Sequence, residues 1–281
     1  MRFTTLLQDG QPRLGVLDGD QVIDLGLDLR AALAAGTDLP AAGRAAIASA
    51  APRLPLAAQT FAPLVPEPGK TICLGLNYFD HAKEGGRTEK PTYPWFFYRG
   101  KSSLLGHGQA GLCPRVSDKF DYEAELAVVI GRTVPRHVAQ ADALDHVFGY
   151  TCFNDMSVRD FQKRTPQWTI GKNFDATGGF GPVLVTADEL PAGAVGLRIQ
   201  SRLNGQVMQD ANTSDMIFSV AETIALLAQC MTLEPGDAII MGTPAGVGQA
   251  RTPPVWMKPG DTVEIEIERI GVLRNPIVAE G

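Results

Sequence analysis

Apolar and polar positions alternate along much of this chain, and the clearest run lies at residues 121–131, Asp-Tyr-Glu-Ala-Glu-Leu-Ala-Val-Val-Ile-Gly. Successive side chains of a strand point to opposite faces. Glu123 and Glu125 therefore share a face with Ala127 and Val129, and Ala124, Leu126, Val128 and Ile130 form the other, a core face. Both faces are apolar by Ile130, which places the two carboxylates at the mouth of something partly buried. Residues 262–268, Thr-Val-Glu-Ile-Glu-Ile-Glu, serve as an internal comparison. There Glu264, Glu266 and Glu268 keep one face polar throughout, opposite Val263, Ile265 and Ile267, as an amphipathic strand with a solvated face does.

Ahead of the central strand, residues 13–25 read as a hairpin turning at Asp18-Gly19, and Ala-rich stretches near 29–35 and 41–51 read as helices. Three prolines between 63 and 69 mark a linker. The chain thus divides into a small N-terminal α/β module, residues 1–66, and a larger domain, 67–281. In the larger part, 71–76 is a short apolar strand and 94–98, Pro-Trp-Phe-Phe-Tyr, an aromatic strand assigned to the core. Residues 148–153 form a strand that delivers Asp155. Ser219 to Glu222 opens a helix whose stripe is Val220, Ile224, Leu227 and Met231. Residues 238–241 form a strand that runs into Gly-Thr-Pro-Ala-Gly-Val-Gly at 242–248. That run lacks the Gly-Lys-Ser/Thr of a phosphate loop, and no helix follows it.

Composition narrows the class. With 44% hydrophobic and 20% charged residues the chain has a globular balance, and a net charge of −6 argues against a nucleic-acid surface. No apolar run approaches the ~20 residues that span a bilayer, and the first residues are too polar for a secretory leader. The four cysteines, Cys73, Cys113, Cys152 and Cys230, are widely spaced and read as reduced thiols of a cytoplasmic protein.

Candidate chemistry gathers in four places. Two like charges at a partly buried strand end repel and lose hydration, and a divalent cation relieves both; Asp155 could supply a third oxygen ligand, or act as a helix N-cap. If a helical turn starts there, Asp155, Arg159 and Gln162 share a face. His81 and Glu84 also share a face if their segment is helical, either as a general-base pair or as surface neighbours. The polar, glycine-hinged stretch 85–91 is either a mobile lid or an ordinary loop. Lys172, between glycine and polar residues, is a candidate oxyanion contact or a solvated charge. Arg87, Lys90, Tyr93 and Arg99 are equal candidates for a second substrate carboxylate.

Taken together, Asn77-Tyr78-Phe79-Asp80-His81, the Asp-Tyr-Glu-Ala-Glu-Leu of 121–126, the Asn-Asp-Met-Ser-Val-Arg-Asp-Phe-Gln of 154–162, Gly171 to Asp175 and 242–248 stand in the order of the fumarylacetoacetate hydrolase superfamily, which residues 70–281 resemble. The resemblance implies a β-rich α+β fold, a mixed β-sandwich roll preceded by a small N-terminal domain, and a homodimer. It implies Glu123, Glu125 and Asp155 as metal ligands, and His81 with Glu84 as a water-activating dyad on a lid. Lys172 would steady developing negative charge, and Arg159, Gln162, Thr243 and Tyr78 would hold substrate oxygens. The most familiar member has a carboxylate where Asn77 stands, so water is expected in that coordination position. An oxygen-only ligand set suits Mg²⁺ or Mn²⁺, with Ca²⁺ also accommodated. The implied reaction is hydrolysis of a C–C bond in 2,4-dioxo acids such as maleylpyruvate or fumarylpyruvate, as in aromatic-compound catabolism. Within the family, decarboxylation or isomerisation of 2-oxo acids and hydrolysis of 2,4-dioxo-3-deoxy sugar acids compete with it. Outside that chemistry stands a metal-dependent binding protein.

Overall fold

A computed structural model describes all residues, Met1–Gly281. The central strand, Ala124–Ile130, is buried at every position and lies inside a large mixed sheet. Across that sheet the order is Leu54–Pro55, Gln21–Leu27, Gln11–Asp18, Arg2–Gln8, Gly178–Thr186, Val147–Asp155, Ala124–Ile130, Ala238–Ile240, Thr71–Gly75 and Trp95–Tyr98. Most neighbours are antiparallel, but Ala238–Ile240 runs parallel to Thr71–Gly75. A second sheet orders Gln206–Asn212, Arg198–Leu203, Thr262–Ile267, Gly271–Ala279 and Gly111–Cys113. No helix is long and apolar enough to cross a membrane.

The two faces of the central strand enter two different cores. Leu126, Val128 and Ile130 pack in one cluster with Ile199, Val263, Ile265 and Leu273 of the second sheet, which makes the sandwich interior. Ala127 and Val129 belong to another, with Phe153, Phe180, Leu184 and Phe97. The helices Leu29–Ala34 and Leu39–Ala48 contribute Leu33 and Leu39 to that second cluster. The N-terminal segment also joins it: Phe3, Leu14 and Val16 share the cluster, and Arg2 and Phe3 pair with Val185 and Leu184. Sheet and core therefore run across residue 66. The comparison strand Thr262–Ile267 shows strict alternation, its Val and Ile buried and its Glu partly exposed, with Arg202 bridging Glu264 and Glu266.

Several local expectations shift. The hairpin turns at Gly19-Asp20, one residue later than the composition suggests, because Asp18 still pairs with Gln21. An unforeseen first strand, Arg2–Gln8, pairs with Gln11–Asp18. The second helix begins earlier, since the Asp38 carboxylate caps it by accepting from the Ala41 N–H at 2.9 Å. The aromatic strand Trp95–Tyr98 is an edge of the sheet and not core: Phe97 is buried, while Trp95 and Tyr98 are exposed.

The seam between Arg2–Gln8 and Gly178–Thr186 yields a prediction. Phe3 has no exposed surface and its ring lies 5.8 Å from that of Phe148. Phe3→Ala is expected to lower the unfolding free energy by roughly 3–5 kcal/mol, followed by urea unfolding through tryptophan fluorescence. A loss below about 1 kcal/mol would mean that the N-terminal strands are only loosely attached to the sheet.

Candidate active site

The site follows from one register. Ala124 lies opposite Asn154 and Glu125 opposite Phe153, and the Asp155 N–H donates to the Glu123 carbonyl at 3.0 Å. Directly opposed residues of an antiparallel pair project to the same face. Glu123, Glu125 and Asp155 therefore converge, with one carboxylate oxygen from each lying within 4.8 Å of the others. All three are buried. Asp155 reaches this place as the last residue of a strand. Ser157–Val158 behind it is extended, and the helical turn begins only at Arg159. The N-cap reading and the shared helical face of Asp155 with Arg159 and Gln162 are thereby corrected.

Buried like charges are costly unless compensated, and the compensation is extensive. Lys172 Nζ donates to Glu123 Oε2 at 2.5 Å and to Asp155 Oδ2 at 2.7 Å. Arg159 Nε donates to Asp121 Oδ2 at 2.8 Å, and its Nη2 lies 2.7 Å from Glu123 Oε1 as an ion pair without hydrogen-bond alignment. Arg99 Nε donates to Asp155 Oδ1 and its Nη2 to the Met156 carbonyl, so this arginine is a buried counter-charge beneath the triad.

The glycine-rich stretch 242–248 completes the cage with backbone donors. The Gly242 N–H donates to Glu125 Oε2 at 2.6 Å, Gly246 N–H to Glu84 Oε1 at 2.6 Å and Gly248 N–H to Asp121 Oδ1 at 2.7 Å. This loop is thus a carboxylate clamp that ties triad, dyad and Arg159 anchor together. Close approach is why Gly248 must lack a side chain: a Cβ there would lie 2.0 Å from the Val255 carbonyl oxygen and 2.6 Å from Asp121 Oδ1.

The balance of these forces appears in the proton affinities. Burial raises Glu125, and Asp155 and Glu123 beside it push its carboxyl further above the ordinary range. Burial alone would raise Glu123 too, but Arg159, Lys172 and the more distant His81 outweigh it and hold that carboxylate below its ordinary value. Burial would lower Lys172, but Asp155 and Glu123 keep the ammonium more basic than usual. Were Glu125 ionised along with Asp121, Glu123 and Asp155, four carboxylates would face the three cations Arg99, Arg159 and Lys172 and leave one negative charge in excess. Three convergent oxygen donors and that surplus fit a hard divalent cation.

His81 and Glu84 do lie on a helix, Phe79–Glu84, with Nδ1 3.3 Å from Glu84 Oε2. Both line the same cavity as the triad, a space of about 400 Å³. Arg159, Gln162, Lys172 and Thr243 line it as well. Gln162 Oε1 accepts from Arg159 Nη1 at 3.0 Å, and Thr243 Oγ1 accepts from Gln209 Nε2 at 2.7 Å. Tyr78, expected to hold a substrate oxygen, is 2% exposed and does not line this cavity; its hydroxyl has no hydrogen-bond partner, and its backbone forms a bridge with Met216. Asn77 is committed elsewhere, its amide donating to the Phe218 and Met241 carbonyls and accepting from Phe218 N–H. Its side-chain oxygen is thus engaged by the Phe218 backbone.

Sequence reasoning gave no role to Asp121 or Gln209. Asp121 sits in the Asp-Tyr-Glu run, but its partners lie at Arg159 and Gly248, too distant in the chain for any local spacing to reveal.

Comparison with known proteins places this geometry. The family model described as fumarylacetoacetate (FAA) hydrolase C-terminal matches residues 70–278. The human mitochondrial oxaloacetate tautomerase FAHD2A is 43% identical over 237 residues, covering 84% of this chain and 74% of that protein. Among solved structures, a fumarylacetoacetate hydrolase from the psychrophile Exiguobacterium antarcticum superposes with a TM-score of 0.85 at 33% identity. The maleylpyruvate hydrolase of Sphingobium sp. SYK-6, in complex with manganese(II) and pyruvate, gives 0.83 at 32%. Each of the two covers the whole of both chains.

The clamp makes its own prediction. Gly248→Ala is expected to cost about 1–3 kcal/mol of stability, read by chemical denaturation, and to displace Asp121 and with it Arg159. Unchanged stability would mean that the loop yields without cost and does not hold the anchor.

Proposed function

The chain belongs to the fumarylacetoacetate hydrolase family, an enzyme family with hydrolase and tautomerase or isomerase members, and from that premise we propose that it moves protons between the enol and keto forms of an oxaloacetate-type 2-oxo acid. The observation that carries this reading is that His81, held by Glu84, opens on the same cavity as the three carboxylates. The identity to an oxaloacetate tautomerase supports the choice of substrate.

Glu123, Glu125 and Asp155 would hold Mg²⁺ or Mn²⁺. When bound, such a cation supplies Lewis-acid stabilisation of negative charge on the substrate's enol oxygen, a contribution of several kcal/mol. The protein's own residues do the rest. Glu84 fixes the imidazole through Nδ1, leaving Nε2 to exchange protons. That nitrogen takes the enol hydroxyl proton and a proton is then returned from it to the adjacent carbon, so that enol becomes keto with no net change in atoms. Arg159, Gln162 and Thr243 orient the acid's oxygens. Lys172 lies among the carboxylates and adds positive charge where the enolate forms.

A second reading is hydrolysis of an acylpyruvate to pyruvate and a carboxylic acid. It is favoured by the His81–Glu84 pair itself, since a carboxylate-supported imidazole is what water activation needs, and by the likeness to maleylpyruvate hydrolase. In this version His81 takes a proton from water, hydroxide adds to the distal carbonyl, and the C–C bond breaks to leave the pyruvate enolate.

The test is to follow loss of enol-oxaloacetate by ultraviolet absorbance with Mg²⁺ or Mn²⁺, beside pyruvate release from acetylpyruvate and maleylpyruvate. The wild type should accelerate the first, and His81→Ala should reduce it by about 10²–10⁴-fold. Undiminished rates in His81→Ala remove the dyad from the mechanism. Faster pyruvate release than enol loss puts the hydrolytic reading first.

A further inference from the structure

Four side chains in and beside the glycine-hinged segment could meet a second carboxylate, and the structure separates them. Arg99 is spent under the triad on Asp155 and Met156. Lys90 lies 5.6 Å from the Phe79 ring centroid, and Tyr93 is 57% exposed with its ring set edge-on to Phe96. Neither lines the cavity, and Arg87 does. Its guanidinium stands 5.2 Å from the centroid of Trp95, which stacks on Trp168 at 5.4 Å with planes 11° apart.

Trp168 in turn lies where a side chain on Gly75 would be, for a Cβ there would come within 2.0 Å of its ring. The platform under Arg87 is thus fixed down to the sheet. None of the chain's ion pairs involves Arg87, so this exposed residue of the cavity rim carries a planar fork of donors without an anionic partner, and such a fork suits a carboxylate.

We propose that Arg87, seated on the Trp95–Trp168 stack, is the receptor for a second carboxylate at the far end of the substrate, so that this enzyme selects dicarboxylic 2-oxo acids over monocarboxylic ones. The inference rests on the 2-oxo acid reading above and adds the residue that sets specificity. The triad and Arg159 engage the 2-oxo acid end, common to both classes. Arg87 engages what only the diacid carries, from a segment hinged beside the dyad. Lys163 also lines the cavity and provides the comparison, since its removal takes away an equal charge without the stack.

The test is calorimetric titration of the full chain, loaded with Mn²⁺, using 2-oxoglutarate and 2-oxopentanoate, which share a carbon count and differ in the terminal carboxylate. The wild type should bind the diacid more tightly. Arg87→Met should reduce the ratio of the two affinities by about tenfold or more, chiefly through the diacid, and Arg87→Lys should restore part of it. Lys163→Met should leave most of the preference in place. A ratio unchanged in Arg87→Met overturns the proposal, as does equal weakening of both ligands or loss of the preference in Lys163→Met. If the wild type binds neither acid, the 2-oxo acid reading itself fails. Binding of both with no preference in the wild type defeats only the assignment to Arg87.

Discussion

Three carboxylates forced onto one face at the buried end of two paired strands are the constraint on which the rest of this molecule depends. Glu123 and Glu125 share that face because a strand alternates, and Asp155 joins them because it lies opposite Glu123 in the ladder. Nothing in the apolar surroundings would tolerate this concentration of charge unaided. Lys172, Arg159 and Arg99 approach from three separate segments, and the 242–248 loop brings backbone N–H groups to Glu125, Glu84 and Asp121. Partners in such a network strengthen one another and make partial satisfaction costly. The fold around the cavity therefore reads as the set of elements needed to hold the triad still.

Electrostatics then connect that scaffold to chemistry. Burial and the neighbouring Asp155 and Glu123 make a lone charge on Glu125 costly, so the cluster favours a proton there or a divalent cation among the three oxygens. A divalent cation would reverse the local sign by one unit and leave the cavity receptive to an anionic acid. The proposed enol–keto transfer and the alternative C–C hydrolysis would both pass through an enolate. That common species accounts physically for a family whose similar members include an oxaloacetate tautomerase and a maleylpyruvate hydrolase. We propose that what distinguishes them lies in how His81 is presented and in what the 85–91 side of the cavity offers the far end of the substrate.

Much of this could be read from the residues, and the remainder has identifiable reasons for being hidden. The contrast between Glu123/Glu125 and Glu264/Glu266 was visible, because a face that turns apolar differs from one that stays polar; the structure buries the first pair and bridges the second to Arg202. The mixed β-rich architecture followed from the strand patterns and the resemblance. Arg99 and Asp121 were obscure because their roles depend on pairings dozens of residues away, which local spacing does not encode. The clamp at 242–248 was missed for another reason: its chemistry is carried by backbone N–H groups, and a run of glycine names the conformation without naming the acceptor. That Tyr78 is almost wholly buried while His81, three residues on, lines the cavity was equally hidden, because burial depends on packing that local spacing does not encode.

We propose that three oxygens from Glu123, Glu125 and Asp155 form one cation site. Its most direct test is a titration of the metal-free chain with Mn²⁺, monitored by the paramagnetic resonance of free ion, for the wild type and for Asp155→Asn. The account predicts one ion per chain, with affinity weakened by more than about tenfold in the variant while its circular dichroism stays that of the wild type. Equal Mn²⁺ affinity in a folded Asp155→Asn protein, or no binding by the wild type, would contradict it.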